Sequence, residues 1–550
     1  MTFIAVPITV DSPGDVATCL ERAGRAARQG AALVEWRIDP LASEPEAPDV
    51  LVRLVKESPL PCIVTCRIAS EGGAFTGADD HRRALLEHLA RSGHLPRYVD
   101  IEHARFSREP AAWLAALMGG DHPQPGSVEM SIILSAHDTQ GRPADLLRVV
   151  EALTHDRSAN VIKVAWHARS LRDNLQCFDL LTERGKPMIA LCMGPFGLMS
   201  RVLAPKFGGF ITFAADAPGL ETAPGQPTIE QLKALYRFDH VGAETKVYGV
   251  IGWPVDHSLG PVIHNAGFEA AGHDGVYLPL PIPGDSSEYE HFKATVGELV
   301  DHPRLHFRGA SVTIPHKENL LRFVDERGGR VDAFARLAGA ANTLLVGATG
   351  AIACRNTDAP AIVDCLCDAL NVDPPRLAEH RFAVLGAGGV ARAALAGLSK
   401  HGAGAVVFNR SRERAEQLIA DLRERARTVN VQTRLSIGSP EGLRADEFDV
   451  FINCTPVGMA GGPSPDLSPL EVLRGGAVEL DDSVTVFDTV YTPSRTPLIE
   501  EAESRGARVV LGVDLFVRQA ALQFEGWTGE EAPIETWREV LRHREPSRAE

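Results

Sequence analysis

The 550-residue chain lacks the features that define several large classes of protein. It contains no apolar run of about 18 residues, the length that a membrane-spanning helix needs. Residues 1–8 carry no basic segment ahead of their apolar stretch, so we expect a first β-strand there and not a signal peptide. No repeat of solenoid length, heptad pattern or low-complexity tract occurs. These absences favour a globular protein of several domains.

Paired cysteine motifs and an excess of positive charge are also absent. The nine cysteines are scattered, with no pair of CxxC motifs, so the sequence predicts neither a metal site nor a disulfide framework. Scattered thiols are typical of a reducing compartment, and we expect a cytoplasmic protein. The formal net charge of −16 argues against nucleic acid or a membrane as the main partner, which leaves small molecules.

Residues 1–240 alternate short apolar strands with helical segments. Strand-like runs lie at 3–8, 33–38, 62–66, 98–101, 131–134, 161–165, 188–191 and 210–213. Helix-like segments between them include 16–29, 50–57, 81–91, 144–153 and 171–184. About eight βα units in roughly 240 residues is the rhythm of a (βα)8 TIM barrel, in which the chemistry gathers at the C-terminal ends of the strands.

Polar side chains fall at those strand ends. Five predicted strands carry Arg, Glu, His or Lys at or just beyond their C-terminal halves, namely Glu35, Arg37, Arg67, Glu102, His137 and Lys163. Because these ends of a barrel share one mouth, we interpret the set as an active site and not as solvated surface.

Lys163 stands alone in the apolar run Asn160-Val-Ile-Lys-Val-Ala165. Apolar surroundings favour the neutral amine of a lysine, which can attack a ketone and form a Schiff base. The alternative is a lysine whose ammonium reaches solvent at a strand end. His137 ends the preceding predicted strand and supplies a candidate acid or base, which favours the catalytic interpretation.

These motifs resemble those of type I 3-dehydroquinate dehydratases across the whole first half of the chain. The matching pieces are Glu35-Trp-Arg37-Ile-Asp39, Thr65-Cys-Arg67 with Glu71-Gly-Gly73, Val99-Asp-Ile-Glu102, Ser135-Ala-His137-Asp138, Val161-Ile-Lys163, Met193-Gly-Pro-Phe-Gly197 with Ser200-Arg201, and Ala223-Pro-Gly-Gln226. The resemblance implies that Lys163 forms the Schiff base and that His137 is the general acid and base. It further implies a substrate site lined by Glu35, Arg37, Arg67, Glu71, Glu102, Arg201, Thr222 and Gln226. Thr222 replaces the usual serine and keeps its hydroxyl.

The second half contains a glycine-rich turn after a predicted strand, Phe382-Ala-Val-Leu-Gly386-Ala-Gly388-Gly389-Val390. Such glycines let the backbone approach a pyrophosphate at a helix N-terminus. The next predicted strand ends in Asn409-Arg410, where NAD-binding proteins carry an acidic residue for the ribose 2′-hydroxyl. Arg410 therefore predicts NADP, with Arg414 as a helper. The alternative is a solvated helix start.

Residues 246–530 resemble the shikimate dehydrogenases. The resemblance rests on Ser258-Leu-Gly260-Pro261, Ser311-Val-Thr313-Ile-Pro-His-Lys317, Gly339-Ala-Ala-Asn342-Thr343, Asn356-Thr357-Asp358, Asn453-Cys-Thr455-Pro-Val-Gly458-Met459, Asp488-Thr-Val-Tyr491 and Gly512-Val-Asp-Leu515 with Gln519. It implies Lys317 and Asp358 as the catalytic pair. Implied substrate contacts are Ser258, Thr313, Asn342, Tyr491, Gln519 and Gln523, and implied cofactor contacts are Gly386, Gly388, Gly389, Val390, Asn409, Arg410, Arg414, Thr455 and Gly512.

Two positions depart from the dehydrogenase pattern. Gly260 replaces the second serine of the usual Ser-x-Ser-Pro, and Ser311 stands where many members have asparagine. The loss of a hydroxyl at position 260 removes one hydrogen bond to the substrate carboxylate. It leaves the choice between shikimate and quinate open.

We therefore predict an α/β protein of three domains: a dehydratase barrel (1–240), a substrate-binding domain (246–370, completed by 514–540) and an NADP-binding Rossmann domain (375–513). The predicted function is dehydration of 3-dehydroquinate to 3-dehydroshikimate, followed by NADPH-dependent reduction to shikimate. Three alternatives remain: a dehydrogenase of mixed quinate and shikimate specificity, a Schiff-base aldolase fused to a dehydrogenase, and a non-catalytic regulator. A monomer is the working expectation for the oligomeric state, which the sequence leaves open.

Overall fold

A computed structural model describes residues 1–103, 130–284, 289–475 and 478–543. Its contacts divide the chain into two compact units. The first consists of Met1–Lys246, Asp274–Ile282 and His302–His306, and the second of Val247–His273, Pro283–Asp301 and Phe307–Glu550. Among the described residues, no helix is both long enough and apolar enough to cross a bilayer.

The first 246 residues contain an eight-stranded parallel sheet. Its strands are β1 (Phe3–Thr9), β2 (Leu33–Arg37), β3 (Cys62–Thr65), β4 (Tyr98–Glu102), β5 (Ser131–Asp138), β6 (Val161–His167), β7 (Met188–Met193) and β8 (Ile211–Phe213). They are ordered β7-β6-β5-β4-β3-β2-β1-β8. Phe210 N–H, just before β8, donates to the Met188 carbonyl of β7 at 2.8 Å and links the first and last strands in that order. The predicted barrel is thereby confirmed.

The helices that alternate with these strands are α1 (Val16–Gln29), α2 (Ala47–Glu57), α3 (Asp79–Arg91), α4 (Leu146–His155), α5 (Arg172–Thr182) and α6 (Leu198–Val202). The last helical segment of this half of the chain is not a regular α-helix. Residues Gln231–Leu235 form a π-helical turn, because Tyr236 N–H donates to the carbonyl five residues earlier, and Phe238–His240 form a 3-10 turn.

The barrel interior is layered. Ala5, Leu33, Ile63, Tyr98, Ile133, Val161 and Ile189 belong to one buried apolar cluster. Because side chains alternate along a strand, residues two positions further on face the same interior. Five of those seven positions hold Glu35, Thr65, Asp100, Ser135 and Lys163, and each of these five is no more than 6% exposed. A polar layer therefore lies directly above the apolar one.

A second, mixed sheet is built from β9 (Lys246–Gly252), β10 (Gly275–Pro281), β11 (Phe307–Val312), β12 (Arg330–Val331), β13 (Thr343–Val346) and β14 (Ile352–Arg355). The strand order is β10-β9-β11-β13-β14-β12, with β13 antiparallel to both of its neighbours. Its helices are α7 (Gly260–Ala270), α8 (Tyr289–Asp301), α9 (Lys317–Glu326) and α10 (Ala333–Ala338).

A third sheet is wholly parallel and consists of β15 (Phe382–Leu385), β16 (Gly404–Phe408), β17 (Arg434–Ile437), β18 (Val450–Asn453), β19 (Thr485–Asp488) and β20 (Arg508–Val510). The order β17-β16-β15-β18-β19-β20 is that of a Rossmann fold, as predicted. The remaining helices are α11 (Asp358–Leu370), α12 (Gly389–Lys400), α13 (Arg412–Thr428), α14 (Pro469–Arg474), α15 (Pro497–Ser504), α16 (Gly512–Thr528) and α17 (Ile534–Arg542).

Candidate active sites

Lys163 occupies the polar layer of the barrel, on β6. Its Nζ donates to Asp100 Oδ2 at 2.9 Å and lies 3.7 Å from Glu35 Oε1. The same nitrogen lies 4.5 Å from the centroid of the Phe213 ring. The sequence neighbours of Lys163 are apolar, as expected. Its neighbours in space, however, include two carboxylates, which the sequence did not predict. Lys163 also does not extend to solvent, since its side chain is 7% exposed.

Arg67, which follows β3, is surrounded by acidic groups. It lies 2.8 Å from Asp100, 3.2 Å from Glu102 and 3.9 Å from Glu71. Although burial alone would lower the pKa of the guanidinium, these carboxylates raise it above its ordinary value. Its Nη1 also donates to Ser135 Oγ at 2.8 Å. Arg67 is thus fully engaged within the protein.

His137 and Glu71 form a contact at the mouth of the barrel. Glu71 Oε2 lies 3.2 Å from His137 Nδ1 and accepts the His137 backbone N–H at 3.0 Å. Burial raises the pKa of the Glu71 carboxyl to about 7, against the opposing effect of Arg67. Burial, with the positive charges of Arg67 and Lys163, lowers the pKa of His137 well below its ordinary value. The imidazole is therefore neutral and able to act as a base near neutral pH.

Arg201, on α6, differs from Arg67 in having no carboxylate beside it among the described residues. It is 2% exposed, its Nη1 donates to the Phe213 carbonyl at 3.5 Å, and its buried Nε has no hydrogen-bond partner there. Burial lowers the pKa of its guanidinium to about 10, so the group is still a cation at neutral pH. A buried cation of this kind is suited to a ligand carboxylate.

The loop after β8 holds Thr222 and Gln226. Gln226 Oε1 accepts the Thr222 backbone N–H at 3.0 Å and its hydroxyl at 3.3 Å. Gln226 is 6% exposed, and its Nε2 has no partner within the described part of the chain. That N–H group can therefore donate to a ligand hydroxyl.

The two remaining predicted barrel residues, Glu35 and Arg37, serve neighbouring groups. Glu35 Oε1 accepts the Thr65 hydroxyl at 2.7 Å, and Arg37 donates twice to Asp39 at 2.7 and 3.1 Å. Asp39 in turn accepts the Arg67 backbone N–H at 3.1 Å. These bonds fix the segment that carries Arg67.

A second site brings together the first residues of two helices. Lys317 begins α9, Asp358 begins α11, and Lys317 Nζ donates to Asp358 Oδ2 at 2.6 Å. Their side chains are 19% and 14% exposed, so a ligand can reach both. The carboxylate also benefits from the helix N-terminus that it occupies. The predicted pair is therefore assembled in the structure.

Asn342 lies beside this pair in a closed hydrogen-bond network. Its Oδ1 accepts the Thr343 hydroxyl at 2.9 Å and the Thr357 backbone N–H at 2.8 Å, and its Nδ2 donates to Thr357 Oγ1 at 3.0 Å. Gln523, on α16, donates to the Asn342 carbonyl at 3.3 Å and to Thr343 Oγ1 at 3.2 Å. The network links α16 to the segment between Lys317 and Asp358.

The other predicted substrate contacts are more exposed or bonded locally. Ser258 Oγ accepts the Gly260 N–H at 3.2 Å, and Thr313 continues β11 by donating its N–H to the Ile251 carbonyl at 2.9 Å. Tyr491 is 39% exposed and stacks on Phe516 with ring centroids 4.9 Å apart. Gln519 donates to the Phe516 carbonyl at 2.9 Å, within its own helix. Gly260 does not have a positive φ.

The glycine-rich turn forms an open cradle at the N-terminus of α12. Gly386 has φ +106°, and a Cβ there would lie 2.9 Å from Thr455 Cγ2. Gly388 and Gly389 face open space, and Gly389 and Val390 begin the helix. Gly512 is needed for a different reason, since a Cβ would lie 2.1 Å from the Val490 carbonyl oxygen. The cradle fits a pyrophosphate.

Arg410 and Arg414 lie exposed beyond β16. Within the described chain neither has an acidic partner, whereas Arg412 between them pairs with Glu416 at 2.8 Å. Asn409 Nδ2 donates to the Ser411 carbonyl at 2.7 Å and shapes the turn. Two uncompensated cations next to the cradle fit the 2′-phosphate of NADP.

Sequence reasoning missed Asp100 and Ser135, although both stood in quoted motifs. Asp100 bonds Lys163, Arg67 and Ser135, and all three partners come from other strands or from the loop after one. The alternation Tyr98, Asp100, Glu102 along β4 was the available signal, because it directs all three side chains inward. No cluster of acidic, histidine and cysteine side chains suited to a metal occurs in the described residues.

Three models of known families match parts of the chain. A family model described as type I 3-dehydroquinase matches residues 4–243. Models described as the shikimate dehydrogenase substrate binding domain and the shikimate 5′-dehydrogenase C-terminal domain match residues 250–344 and 512–542.

The chain is also similar to individual proteins of known name. The chain is 34% identical over 554 residues to a bifunctional 3-dehydroquinate dehydratase/shikimate dehydrogenase, chloroplastic, of Arabidopsis thaliana, covering 98% of this chain and 84% of the relative. It is 40% identical over 312 residues to a shikimate dehydrogenase (NADP(+)) of Methanopyrus kandleri, covering 55% of this chain and 97% of the relative. A solved dehydroquinate dehydratase and shikimate dehydrogenase from S. pombe aligns with 23% identity and a TM-score of 0.42, covering 98% of both chains.

Proposed function

The chain belongs to the family of bifunctional 3-dehydroquinate dehydratase/shikimate dehydrogenases, and we propose that it carries out both reactions in sequence. It dehydrates 3-dehydroquinate to 3-dehydroshikimate in the barrel, and it reduces that product to shikimate with NADPH in the C-terminal half. The observation that carries the proposal is the presence of two assembled sites, one around Lys163 and one around the Lys317–Asp358 pair.

In the barrel, Lys163 forms an imine with the substrate ketone. The resulting positive charge draws electrons from the neighbouring carbon and makes its proton removable. His137 is neutral and buried, and it takes that proton and later protonates the departing hydroxyl. Glu71, which contacts His137 Nδ1, fixes the tautomer in which Nε2 is the base.

Arg201 holds the substrate carboxylate, and this role is supported by the absence of an acidic partner for it among the residues that the structure describes. Arg67 is less suited to that role because Asp100 and Glu102 already neutralise it. We assign Arg67 to orienting the acidic groups, and Gln226 with Thr222 to the substrate hydroxyls.

In the dehydrogenase half, NADPH supplies the hydride when it is bound. The cradle of Gly386, Gly388 and Gly389 fits its pyrophosphate, and Arg410 fits its 2′-phosphate. As negative charge grows on the ketone oxygen, the Lys317 ammonium stabilises that oxygen and protonates it, while Asp358 holds the ammonium in place.

A dehydrogenase of mixed specificity is the second candidate, and Gly260 is the observation that favours it. Ser258 keeps one hydroxyl near the predicted carboxylate site, where its Oγ accepts the Gly260 N–H, and position 260 offers no hydroxyl of its own. We expect some turnover of quinate beside shikimate. The aldolase alternative is disfavoured by Ser135-Ala-His137 and Ala223-Pro-Gly-Gln226, which an aldolase need not have. The regulator alternative is disfavoured because Lys163, His137, Lys317 and Asp358 are all present.

The proposal also includes the domain bounds, the compartment and the class of partner. We propose three domains with bounds 1–240, 246–370 with 514–540, and 375–513. We also propose a cytoplasmic protein, supported by its nine free thiols, that acts on small molecules and not on nucleic acid, supported by its net charge of −16. A monomer remains part of the proposal.

Borohydride trapping tests the proposed imine. Borohydride added with 3-dehydroquinate should reduce the imine and leave a covalent adduct on Lys163. Lys163→Ala should abolish dehydration and trapping and leave NADPH-dependent reduction of 3-dehydroshikimate intact, because the second site lies in another domain. Dehydration by the variant at near wild-type rate would show that the Schiff-base proposal is wrong.

A further inference from the structure

Asp100 is a buried carboxylate in contact with Lys163, Arg67 and Ser135, and neither the sequence nor the comparisons assign it a role. Its side chain is fully buried. Oδ2 accepts from Lys163 Nζ at 2.9 Å, and Oδ1 accepts from Ser135 Oγ at 2.6 Å and lies 2.8 Å from Arg67 Nη2. Both oxygens are thus occupied by donors, two of which are cations.

The neighbours of Asp100 keep its carboxylate ionised. Burial alone would raise the pKa of Asp100, but Arg67 and Lys163 hold it far below its ordinary value. Ser135 cannot donate to Arg67, which has only donors, and of its two acceptors Asp100 Oδ1 at 2.6 Å is nearer than the Ile101 carbonyl at 3.3 Å. Asp100 is therefore a fixed negative charge beside the amine that reacts.

We propose that Asp100 is the counter-ion of the two cationic states of Lys163 Nζ, the ammonium before imine formation and the iminium after it, an inference that rests on the proposed dehydratase function. The ammonium and the ketone give the iminium and one water. A carbon–nitrogen bond forms, the carbon–oxygen bond breaks, and two ammonium protons leave with the oxygen. The nitrogen carries one positive charge before and after, so a fixed carboxylate stabilises both states without moving.

Glu35 does not duplicate this role. It lies 3.7 Å from Lys163 Nζ, compared with 2.9 Å for Asp100, and one of its oxygens already accepts the Thr65 hydroxyl. Ser135 and Arg67 hold Asp100 from the other side, which keeps its Oδ2 directed at Nζ. The neutral intermediates on the path have no such need of a counter-ion, so loss of the charge slows the steps that build the iminium.

The test compares Asp100→Asn with wild type in the full chain. Asparagine keeps the shape and an acceptor oxygen but removes the charge. The rate at which borohydride traps the adduct of 3-dehydroquinate on Lys163, followed by peptide mass, should fall by roughly a hundredfold or more, the scale of a lost fixed electrostatic contact. The dehydratase kcat should fall in parallel, with KM changed less than about threefold, since the substrate carboxylate is assigned to Arg201 and not to the Asp100 contacts.

A matched control is Asp216→Asn, which removes another buried carboxylate of the barrel. Asp216 pairs with Arg22 at 2.7 Å and also with Arg25, and it does not touch Lys163. Its trapping rate should stay within a few-fold of wild type. Asp100→Glu keeps the charge on a longer side chain and should recover at least a tenth of the wild-type trapping rate, and thermal unfolding of each variant checks the barrel.

The outcomes separate the two proposals. No adduct in the wild type would overturn the proposed imine itself. An adduct that forms equally fast in wild type and in Asp100→Asn would overturn only the counter-ion. If Asp100→Asn does not fold, Asp100→Glu decides: recovery of trapping supports the counter-ion, and a loss as complete as that of Lys163→Ala overturns it.

Discussion

Replacement of Arg410 by alanine should raise the KM for NADPH but not the KM for NADH. Arg410 is exposed and has no acidic partner in the described chain, so its charge is available to a 2′-phosphate. A hydrogen bond to a charged group contributes about 1.5–3 kcal/mol, and solvent screening at this exposed position favours the lower end. A loss of about 1.4 kcal/mol corresponds to a tenfold rise in the KM for NADPH. The KM for NADH, which lacks the phosphate, should barely change.

The same helix start provides the control. Arg412→Ala removes an equally exposed guanidinium that pairs with Glu416 at 2.8 Å, so it should leave both KM values within about twofold. Steady-state reduction of 3-dehydroshikimate should be measured at about 0.05 and 0.5 M salt, because the Arg410 effect shrinks as salt screens the charge. Equal rises for NADPH and NADH, or a larger effect from Arg412, would refute the reasoning.

Three further outcomes are expected. Gly260→Ser, at a position without positive φ, should raise the ratio of kcat/KM for shikimate over quinate by roughly two- to tenfold; an unchanged ratio in a folded protein would show that position 260 does not contact the substrate. Because the pKa of Glu71 is about 7 and its ionised form fixes the His137 tautomer, dehydratase kcat should fall as the pH drops below about 7. The kcat of Glu71→Gln should not show this fall, and a fall that persists in the variant would mean that another group titrates. Arg201→Ala should raise the dehydratase KM by roughly tenfold or more with a smaller change in kcat, and an unaffected KM would place the carboxylate elsewhere.

The architecture could be predicted because hydrophobic period and strand spacing are local signals. All eight barrel strands were placed within a few residues, and the largest error was β5, which runs to Asp138 and not to residue 134. Beyond residue 134 the apolar run gives way to Ser135, His137 and Asp138, so the hydrophobic pattern alone ends the strand too early. The π-helical turn at Gln231–Leu235, after which Tyr236 N–H donates to the Gln231 carbonyl, had no local signal that distinguished it from an α-helix.

The sequence was enough to predict which residues form the candidate sites, but not which residues contact one another there. Lys163 was found as a lysine in an apolar run, yet its carboxylate neighbours come from β2 and β4, and no pattern within β6 indicates them. Arg67 and Arg201 were both predicted from the sequence as substrate contacts, and nothing in the sequence distinguishes their surroundings. Only the structure distinguishes Arg67, enclosed by carboxylates, from Arg201, which has none beside it among the described residues. Cross-strand register decides such partnerships, and register is a property of the folded sheet.

A coupled assay tests the central claim most directly. Purified protein is given 3-dehydroquinate and NADPH, and the loss of NADPH is followed in wild type, in Lys163→Ala and in Lys317→Ala. Two sequential sites predict steady NADPH loss in the wild type and none in either variant. Lys163→Ala should regain wild-type NADPH loss when 3-dehydroshikimate replaces 3-dehydroquinate, and Lys317→Ala should not. Failure of the wild type to consume NADPH from 3-dehydroquinate, or unimpaired consumption by Lys163→Ala, would contradict the claim that one chain carries both steps.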